Sequence, residues 1–554
     1  MPFKSIFPSI PVETQPFGER LLQSFWKHST KNPLKKAIIC AENPKYFVTF
    51  RDLYIQTLSI SAFLESREFG HGDIAALVLS NSWEFLEIVT AVALRGGGVT
   101  AASVLFTDYE LQRQFIDCKA KIIFVGDNNL DRVLKAAKYC KSISTIVVIQ
   151  ISDRSIPEPS DIPFGIIPFS TVISTPPNPT SPQVDINVER DIFLLPYSSG
   201  TTGSPKGVML SHQNYSTLIS IFINHIEKYV YPKVAPDWNY DDEDIVLSMP
   251  FYHIYGFSIL IKSILCGQTC ITLTHFDKEI YLQSIQNYKI REIFIVPTLL
   301  MFLANDAMIK NYNLSCLEFI NIAAAPTSKS LCKKVFKRLK TLKRIDISFG
   351  LSECSLACAL PNPISDKSRL DIAGTLISNY EMKVIDANGN ELLIGEIGEL
   401  CLRSPTIMLG YLGKPEATAE AIDDEGWLHT GDLIKYDIHG NIYSIDRLKE
   451  IIKVKGYQVA PAELEDILLS HPDISDAAVI GIKNNKFGEI PKAFVVKRNE
   501  EVTKKQVLEF MNENTASYKH LKGGIEFVTV IPKSPAGKIL RRFLRKNYSN
   551  KSKL

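Results

Sequence analysis

The sequence predicts an α/β fold, with a large N-terminal part of mixed and parallel sheets flanked by helices and a small C-terminal α+β part. Three features point to it. Short apolar runs alternate with amphipathic stretches from residue 74 onward, as strands joined by crossover helices do. The alternation gives way to shorter, denser elements at Asp446. A chain of 554 residues also exceeds what one hydrophobic core usually holds.

Taken in order, residues 74–79 read as a buried strand, 82–94 as a helix, and Gly96-Gly97-Gly98 as its stop. Residues 121–125, 130–139 and 145–149 continue as strand, helix and strand at the spacing of βαβ units, which predicts a parallel sheet. The proline-rich stretch 156–185 has few periodic apolar positions and reads as a surface connection. Residues 192–195 form another buried strand, and 208–210 return into a strand or helix with Ser211 as N-cap. The loop between them is expected to open a second α/β part with strands at 293–296 and 345–348. Beyond Asp446 the order is short strand, helix 462–469 with Pro461 in its first turn, strands near 477–482 and 493–496, helix near 506–511 and strand 525–530. The expected division is 1–445 and 446–554, with a hinge at 446–449.

Composition narrows the function. A net charge of +2 gives no global electrostatic case for nucleic acid, and no apolar run approaches the length needed to span a bilayer. The N-terminus lacks a sustained apolar stretch, so the ten cysteines are expected to be reduced in a soluble enzyme. Cys354-x3-Cys358 has no second pair or nearby histidine and reads as core filling.

The stretch Tyr197-Ser198-Ser199-Gly200-Thr201-Thr202-Gly203-Ser204-Pro205-Lys206-Gly207 is built to meet phosphate. Its glycines let backbone N–H groups approach an anion, its hydroxyls add donors, and Lys206 adds a mobile charge for the outer phosphates. The order is not that of a Walker A loop, which needs Gly-x4-Gly-Lys-Ser/Thr. A plain Ser/Gly linker is the bland alternative.

With Pro250-Phe251-Tyr252-His253-Ile254-Tyr255-Gly256, Phe349-Gly350-Leu351-Ser352-Glu353, Gly426-Trp427-Leu428-His429-Thr430-Gly431-Asp432, Asp446-Arg447-Leu448-Lys449-Glu450 and Pro535-Ala536-Gly537-Lys538, this loop resembles the adenylate-forming superfamily. That group includes acyl-CoA synthetases, 4-coumarate:CoA ligases, beetle luciferases and peptide-synthetase adenylation domains. The motifs span residues 197–538 in the family's order. The resemblance implies ATP-dependent conversion of a carboxylic acid to an acyl-adenylate, with Mg²⁺ and CoA as further participants.

Carried over residue by residue, it assigns nucleotide contacts to Ser198, Ser199, Gly200, Thr201, Thr202, Gly203, Lys206, Ala325, Ser348, Phe349, Gly350, Ser352, Asp432, Arg447 and Lys538. Glu353 is a carboxylate suited to Mg²⁺, Asp432 to both ribose hydroxyls, and Lys538 to the attacking carboxylate and the bridging oxygen. The resemblance also makes Lys449 the hinge residue, Lys453, Lys455 and Gly456 the CoA side, and His253, Tyr255, Ala323 and Ala324 the acid pocket. Family members often carry Tyr where Phe349 stands, Thr where Ser352 stands, and Gly in the alanine strip. From the residues alone, plainer readings stay open: Glu353 as a helix N-terminal acid, Asp432 as a turn residue, His253 as a core histidine, Lys538 as part of a basic tail, and residues 451–455 as an edge strand.

The tripeptide Ser552-Lys553-Leu554 matches a peroxisomal import address, after a basic run, Lys538 to Lys546, expected to be exposed. Only 16 residues follow Lys538, which disfavours a carrier module. The functions in view are an acid:CoA ligase acting on a fatty or aryl acid, a luciferase-like oxygenase of the acyl-adenylate, and a silent nucleotide-binding homologue.

Overall fold

The computed structural model of the chain describes residues 2–156, 158–178, 184–198, 205–362, 370–454, 457–484, 487–534 and 537–551. Its largest sheet is built around Ile74–Val78, which pairs in parallel with Gly98–Ala101 on one side and Ile122–Gly126 on the other. Thr145–Ile149 extends it, also in parallel. Every residue of the three strands other than Gly98–Ala101 is buried, so both faces are covered, as crossover helices require. Those helices are Trp83–Leu94, Asp108–Cys118 and Leu130–Ala137. The second starts at a capping box in which Thr107 and Glu110 satisfy each other's backbone N–H groups.

Three expectations change here. Gly98 begins a strand instead of ending the preceding helix region, because a Cβ at that position would lie 2.8 Å from Ile74 Cδ1 and 3.0 Å from the Ile192 carbonyl oxygen. A glycine required for close strand packing hides the strand from propensity. Gly98–Ala101 then takes Ile192–Leu194 as its parallel neighbour, and Lys206–Ser211 runs antiparallel to that strand. The strands flanking the phosphate loop therefore complete the first sheet and do not open a second. Finally, the stretch 156–185 is not structureless. Ile167–Pro168 adds an edge strand beside Thr145–Ile149, where a proline breaks no ladder, and helix Phe169–Ile173 buries Phe169 and Val172.

Two further sheets frame the site. Glu292–Ile295, Phe319–Ile322 and Arg344–Ile347 form a parallel sheet whose C-terminal ends lead into residues 296–298, 323–326 and 348–353. Gly398–Arg403, Leu428–Tyr436 and Ile442–Arg447 pair antiparallel in a five-stranded sheet.

Beyond Arg447, strands Ile452–Val454, Tyr457–Val459, Ile474–Asn484, Gly488–Lys497 and Ile525–Phe527 form another sheet, with helices Pro461–Ser470 and Lys504–Asn514. Their core of Ile452, Leu464, Leu468, Val479 and Val507 is separate from the large one. The basic run near the end is not a free tail. Arg541–Lys551 is a helix that buries Leu544 beside Ala478 and Phe494. Arg541 donates to both oxygens of Glu465 at 2.8 Å, and Arg545 pairs with Glu450. Among the described residues all ten cysteines are free, and no helix is long and apolar enough to cross a membrane.

Glu465 is 7% exposed, and its other contact is the Val479 N–H. Arg541→Leu therefore leaves a buried carboxylate without its cation, which costs about 3–5 kcal/mol. The expected result is a lowered urea midpoint for unfolding of the C-terminal part. A loss below about 1 kcal/mol would show that the pair does not anchor the helix.

Candidate active site

The phosphate loop leaves and re-enters the first sheet through a hairpin in which Ser198 faces Lys206 and Tyr197 faces Gly207. This register fixes Lys206 at the loop's exit. Residues Ser199 to Gly203 lie outside the described residues. Gly410–Tyr411 pairs with Val208 and Met209 on the other edge of the same strand, and the Leu412 N–H donates to the Gly207 carbonyl at 2.9 Å. The pairing carries the Tyr411 ring beneath Lys206, with Nζ 4.7 Å from the ring centroid. The Tyr411 hydroxyl donates to Glu353 Oε1 at 2.9 Å. One aromatic ring thus sits between the loop cation and the candidate metal carboxylate, and the neighbouring anion raises the Tyr411 hydroxyl pKa after burial has already done so. Sequence reasoning missed Tyr411. The available signal was a Gly-Tyr step after the apolar run Ile407-Met408-Leu409.

Glu353 is placed by the segment that follows strand Arg344–Ile347. Phe349 exchanges both backbone hydrogen bonds with Ala359 at 3.1 Å. At Gly350 a Cβ would lie 1.9 Å from the Leu356 carbonyl oxygen, so only glycine permits the crossing. A single turn, Ser352–Cys354, then ends at Ser355 with φ 66°. Phe349, Gly350 and Ser352 line one cavity together with Ser348, Ala323 and Ala324; Ala325 is not among its lining residues.

Asp432 corrects the turn expectation. It lies within strand Leu428–Tyr436, after Gly431 at φ 67°, where the register against Gly398–Arg403 shifts. The irregularity is a bulge that re-aims the side chain. Asp432 is the register partner of Arg447, and the two form an ion pair at 2.7 Å. Asp432 is 5% exposed, and its Oδ2 has no hydrogen-bond partner. Burial pushes the carboxyl up to about 6 against the pull of Arg447 and Lys538.

Lys538 reaches the same place from the C-terminal part. Its loop is closed by the Ser534 N–H donating to the Lys538 carbonyl at 2.8 Å and the Lys538 N–H donating to Ser534 Oγ at 3.2 Å. Lys533 pairs with Asp476 at 2.7 Å and also touches Met301 across the gap. Lys538 lines the cavity. Its pKa is lowered chiefly by burial and next by Arg447, while Asp432 and Glu353 oppose the shift. Arg447 and Lys538 therefore share their surroundings with Asp432 and Glu353, and Lys206 stands over the Tyr411 ring that bonds Glu353.

The cavity that Lys538 lines continues into apolar walls that include Phe222, Ile226 and Phe294. His253 is the N-cap of helix Ile254–Leu265, and its Nδ1 accepts the Tyr255 N–H at 3.3 Å, which places the ring hydrogen on Nε2. Burial, reinforced by Lys538, lowers its pKa to about 3, so the imidazole is neutral. The Tyr255 hydroxyl is turned to the carbonyls of Ile295 and Asn321, each 3.4 Å away. Ala324 holds φ 76°, a conformation glycine adopts at no cost.

Other expected residues are elsewhere. Lys449 is exposed in the turn after Arg447, and Lys453 is exposed in strand Ile452–Val454, where its N–H donates to Glu489. Neither lines the cavity. Lys455, Gly456 and Ser552 to Leu554 lie outside the described residues.

Residues 25–412 match the family model described as AMP-binding enzyme, and residues 463–538 match that of the AMP-binding enzyme C-terminal domain. A 4-coumarate–CoA ligase from Arabidopsis thaliana is 34% identical over 515 residues, covering 91% of this chain and 88% of the relative. Acyl-CoA synthetase 7 of Caenorhabditis elegans is 33% identical, with 97% of each chain covered. Among solved structures, the anthranilate CoA ligase AuaEII in complex with anthranoyl-AMP shares the fold at a TM-score of 0.85 and 24% identity, covering 98% of this chain and 99% of the other. ATP-bound MatB from Rhodopseudomonas palustris does so at 0.81 and 22%, covering 95% and 99%.

Tyr411→Phe removes the hydrogen bond to Glu353 but keeps the ring under Lys206. A hydrogen bond to a charged group is worth about 1.5–3 kcal/mol, so calorimetry should show roughly tenfold weaker ATP binding in magnesium. Tyr411→Leu should be weaker still. Unchanged affinity in Tyr411→Phe would remove Tyr411 from the site.

The raised Asp432 pKa sets a second expectation. The carboxyl takes up its proton near pH 6 instead of near 4, so an acceptor is lost as pH falls through 6. Adenosine, which carries no phosphate to titrate, should bind more weakly below that pH. Asp432→Asn should bind weakly at every pH, with no acid limb. An acid limb retained in that variant would assign it to another group.

Proposed function

The chain belongs to the AMP-binding enzyme family and is an acid:thiol ligase of the AMP-forming kind; we propose that it activates a fatty or aryl carboxylic acid in the cavity between Lys538 and Phe294. The observation that carries this reading is the buried, unpartnered Oδ2 of Asp432 beside Arg447, in reach of the charges of Lys538 and Glu353. A buried carboxylate oxygen without a donor costs about 1–3 kcal/mol or more. A ribose hydroxyl supplies the donor. Gly350 fits as well, since the crossing it permits leaves Phe349 and Ser352 on the cavity wall.

In the reading proposed, a carboxylate oxygen of the acid attacks the α-phosphorus of ATP, and the bond to pyrophosphate breaks. Lys206 and Lys538 neutralise the charge that develops on the two sides of phosphorus. Magnesium fits the donor set: Glu353 offers a carboxylate held by the Tyr411 hydroxyl, and Mg²⁺ is commonly bound by one or two carboxylates with substrate phosphate oxygens. When bound it would supply further charge neutralisation. The neutral His253 adds no charge to the acid's entry.

In the second half-reaction the CoA thiol attacks the acyl carbon, the carbon–oxygen bond to AMP breaks, and AMP leaves with that oxygen. Lys538 stands in the cavity the thiol must enter, which supports a C-terminal lid turning about 446–449 with Lys449 in the hinge. Lys453, with Lys455 and Gly456, would then face CoA.

Lys538→Ala should abolish acid-dependent exchange of pyrophosphate into ATP while transfer from supplied acyl-adenylate to CoA continues, because the lysine serves charge at phosphorus. Exchange at the wild-type rate in that variant would refute the role.

We place the enzyme in peroxisomes on the strength of Ser552-Lys553-Leu554 as a ligand for the import receptor. A fluorescent protein fused ahead of Met1 should enter peroxisomes, and loss of Leu554 alone should leave it in the cytosol. A cytosolic location of the intact fusion would discard the address.

A further inference from the structure

The loop that carries His253 to the cavity is held by a side chain from the largest sheet. Asn81 stands three residues after strand Ile74–Val78 and is 6% exposed. Its Nδ2 donates to the Met249 carbonyl at 2.9 Å, and its Oδ1 accepts the Phe251 N–H at 2.8 Å. A primary amide offers donor and acceptor side by side, so it can pair with the C=O and N–H of a loop as a neighbouring strand would. The next residue of the loop, Tyr252, is bonded through its hydroxyl to Ser103, which follows strand Gly98–Ala101. Two adjacent parallel strands therefore pin residues 249–252 from their C-terminal ends, the edge of such a sheet at which ligands are commonly bound.

From this anchor the constraint runs to the imidazole in short steps. The Pro250 carbonyl accepts the His253 N–H at 3.1 Å, and the His253 carbonyl accepts the Phe257 N–H at 3.1 Å. The ring is tied in turn by its Nδ1, which accepts the Tyr255 N–H. At Gly256 a Cβ would lie 2.4 Å from the Pro250 carbonyl oxygen and 2.8 Å from that of Met249, so the start of helix Ile254–Leu265 is packed directly on the pinned loop. Phe251 is buried, with its ring 5.9 Å from that of Phe85. Water therefore cannot replace Asn81 at the Phe251 N–H without moving the loop, and a buried donor left unpaired is costly.

Resting on the reading of this cavity as the acyl site, we propose that Asn81 is a positioning residue for activation of the acid, holding residues 249–252 so that the His253 ring keeps one place in the cavity wall. Asn81 is not among the residues that line the cavity, whereas His253 is, so the effect of Asn81 on the acid passes through the loop. Misplacing a group in the site by 1 Å costs up to about a hundredfold in rate, which makes a two-bond anchor behind the wall matter to turnover.

The test is a double-mutant cycle of Asn81 and His253, read as kcat/KM for an acid that the wild type converts to its acyl-CoA and as the Kd of adenosine. Asn81→Ala should lower kcat/KM for the acid about tenfold, the equivalent of one lost hydrogen bond, and leave adenosine binding unchanged. Asn81→Asp keeps the acceptor for Phe251 and loses the donor to Met249; it should fall between and serves if the alanine variant folds poorly. In the His253→Ala background either change should have less than about a twofold effect, because the group it positions is gone. A merely structural role would lower kcat/KM by the same factor in both backgrounds, or weaken adenosine binding as well, and either result overturns the proposal. Wild-type kcat/KM in both Asn81 variants, or in His253→Ala, overturns it too, and all of these leave the ligase reading intact. Turnover of no acid by the wild type would overturn the ligase reading and this proposal with it.

Discussion

The site depends on one cross-strand ion pair. Asp432 and Arg447 are register partners in a buried antiparallel ladder, so their contact follows from the backbone pairing and not from the chance approach of two long side chains. The pair uses one carboxylate oxygen and leaves the other buried and bare. Burying a carboxylate is costly unless every lone pair finds a donor, and the raised pKa of Asp432 is the local expression of that cost. A ligand that carries hydroxyl donors would satisfy that oxygen. Arg447 also ends the strand from which the C-terminal part departs, so the residue that holds Asp432 is one step from the segment that brings Lys538.

The cavity therefore has two physically different ends. At one stands Lys538, whose charge is felt together with those of Arg447, Asp432 and Glu353. At the other, apolar side chains surround Asn321, which donates to Glu292, itself bonded by Tyr231 behind the wall. Networks of this kind are worth most when every member is satisfied. The first end suits a reaction common to a whole family, and the second is where one member would choose its acid. Ala324, held at φ 76°, lines the same cavity.

Much of this was legible in the sequence because it is local. The alternation of runs up to residue 149, the capping of the helix after Ser211 and the order of motifs from Tyr197 to Lys538 depend on residues near one another in the chain, and the structure places Glu353, Asp432, Arg447 and Lys538 as neighbours in charge. What was not legible comes from pairings between distant segments. Tyr411 joins the site because Gly410–Tyr411 pairs with the strand after the phosphate loop, and the local Gly-Tyr step does not say which strand it pairs with. The strand at Gly98–Ala101 is masked by the glycine that makes it possible. The turn reading of Asp432 stayed open because a bulge and a turn share the Gly-Asp step. Arg541 looked like a solvated tail because its partner, Glu465, lies 76 positions away.

The central claim is that an acid is activated through its own oxygen at the α-phosphorus. The measurement that tests it most directly uses an accepted acid labelled with ¹⁸O in its carboxylate, with ATP, magnesium and CoA, and mass analysis of both phosphorus products. Attack by the carboxylate followed by cleavage of the acyl carbon–oxygen bond requires one labelled oxygen in AMP and none in pyrophosphate. AMP free of label, or label in pyrophosphate or inorganic phosphate, would contradict it.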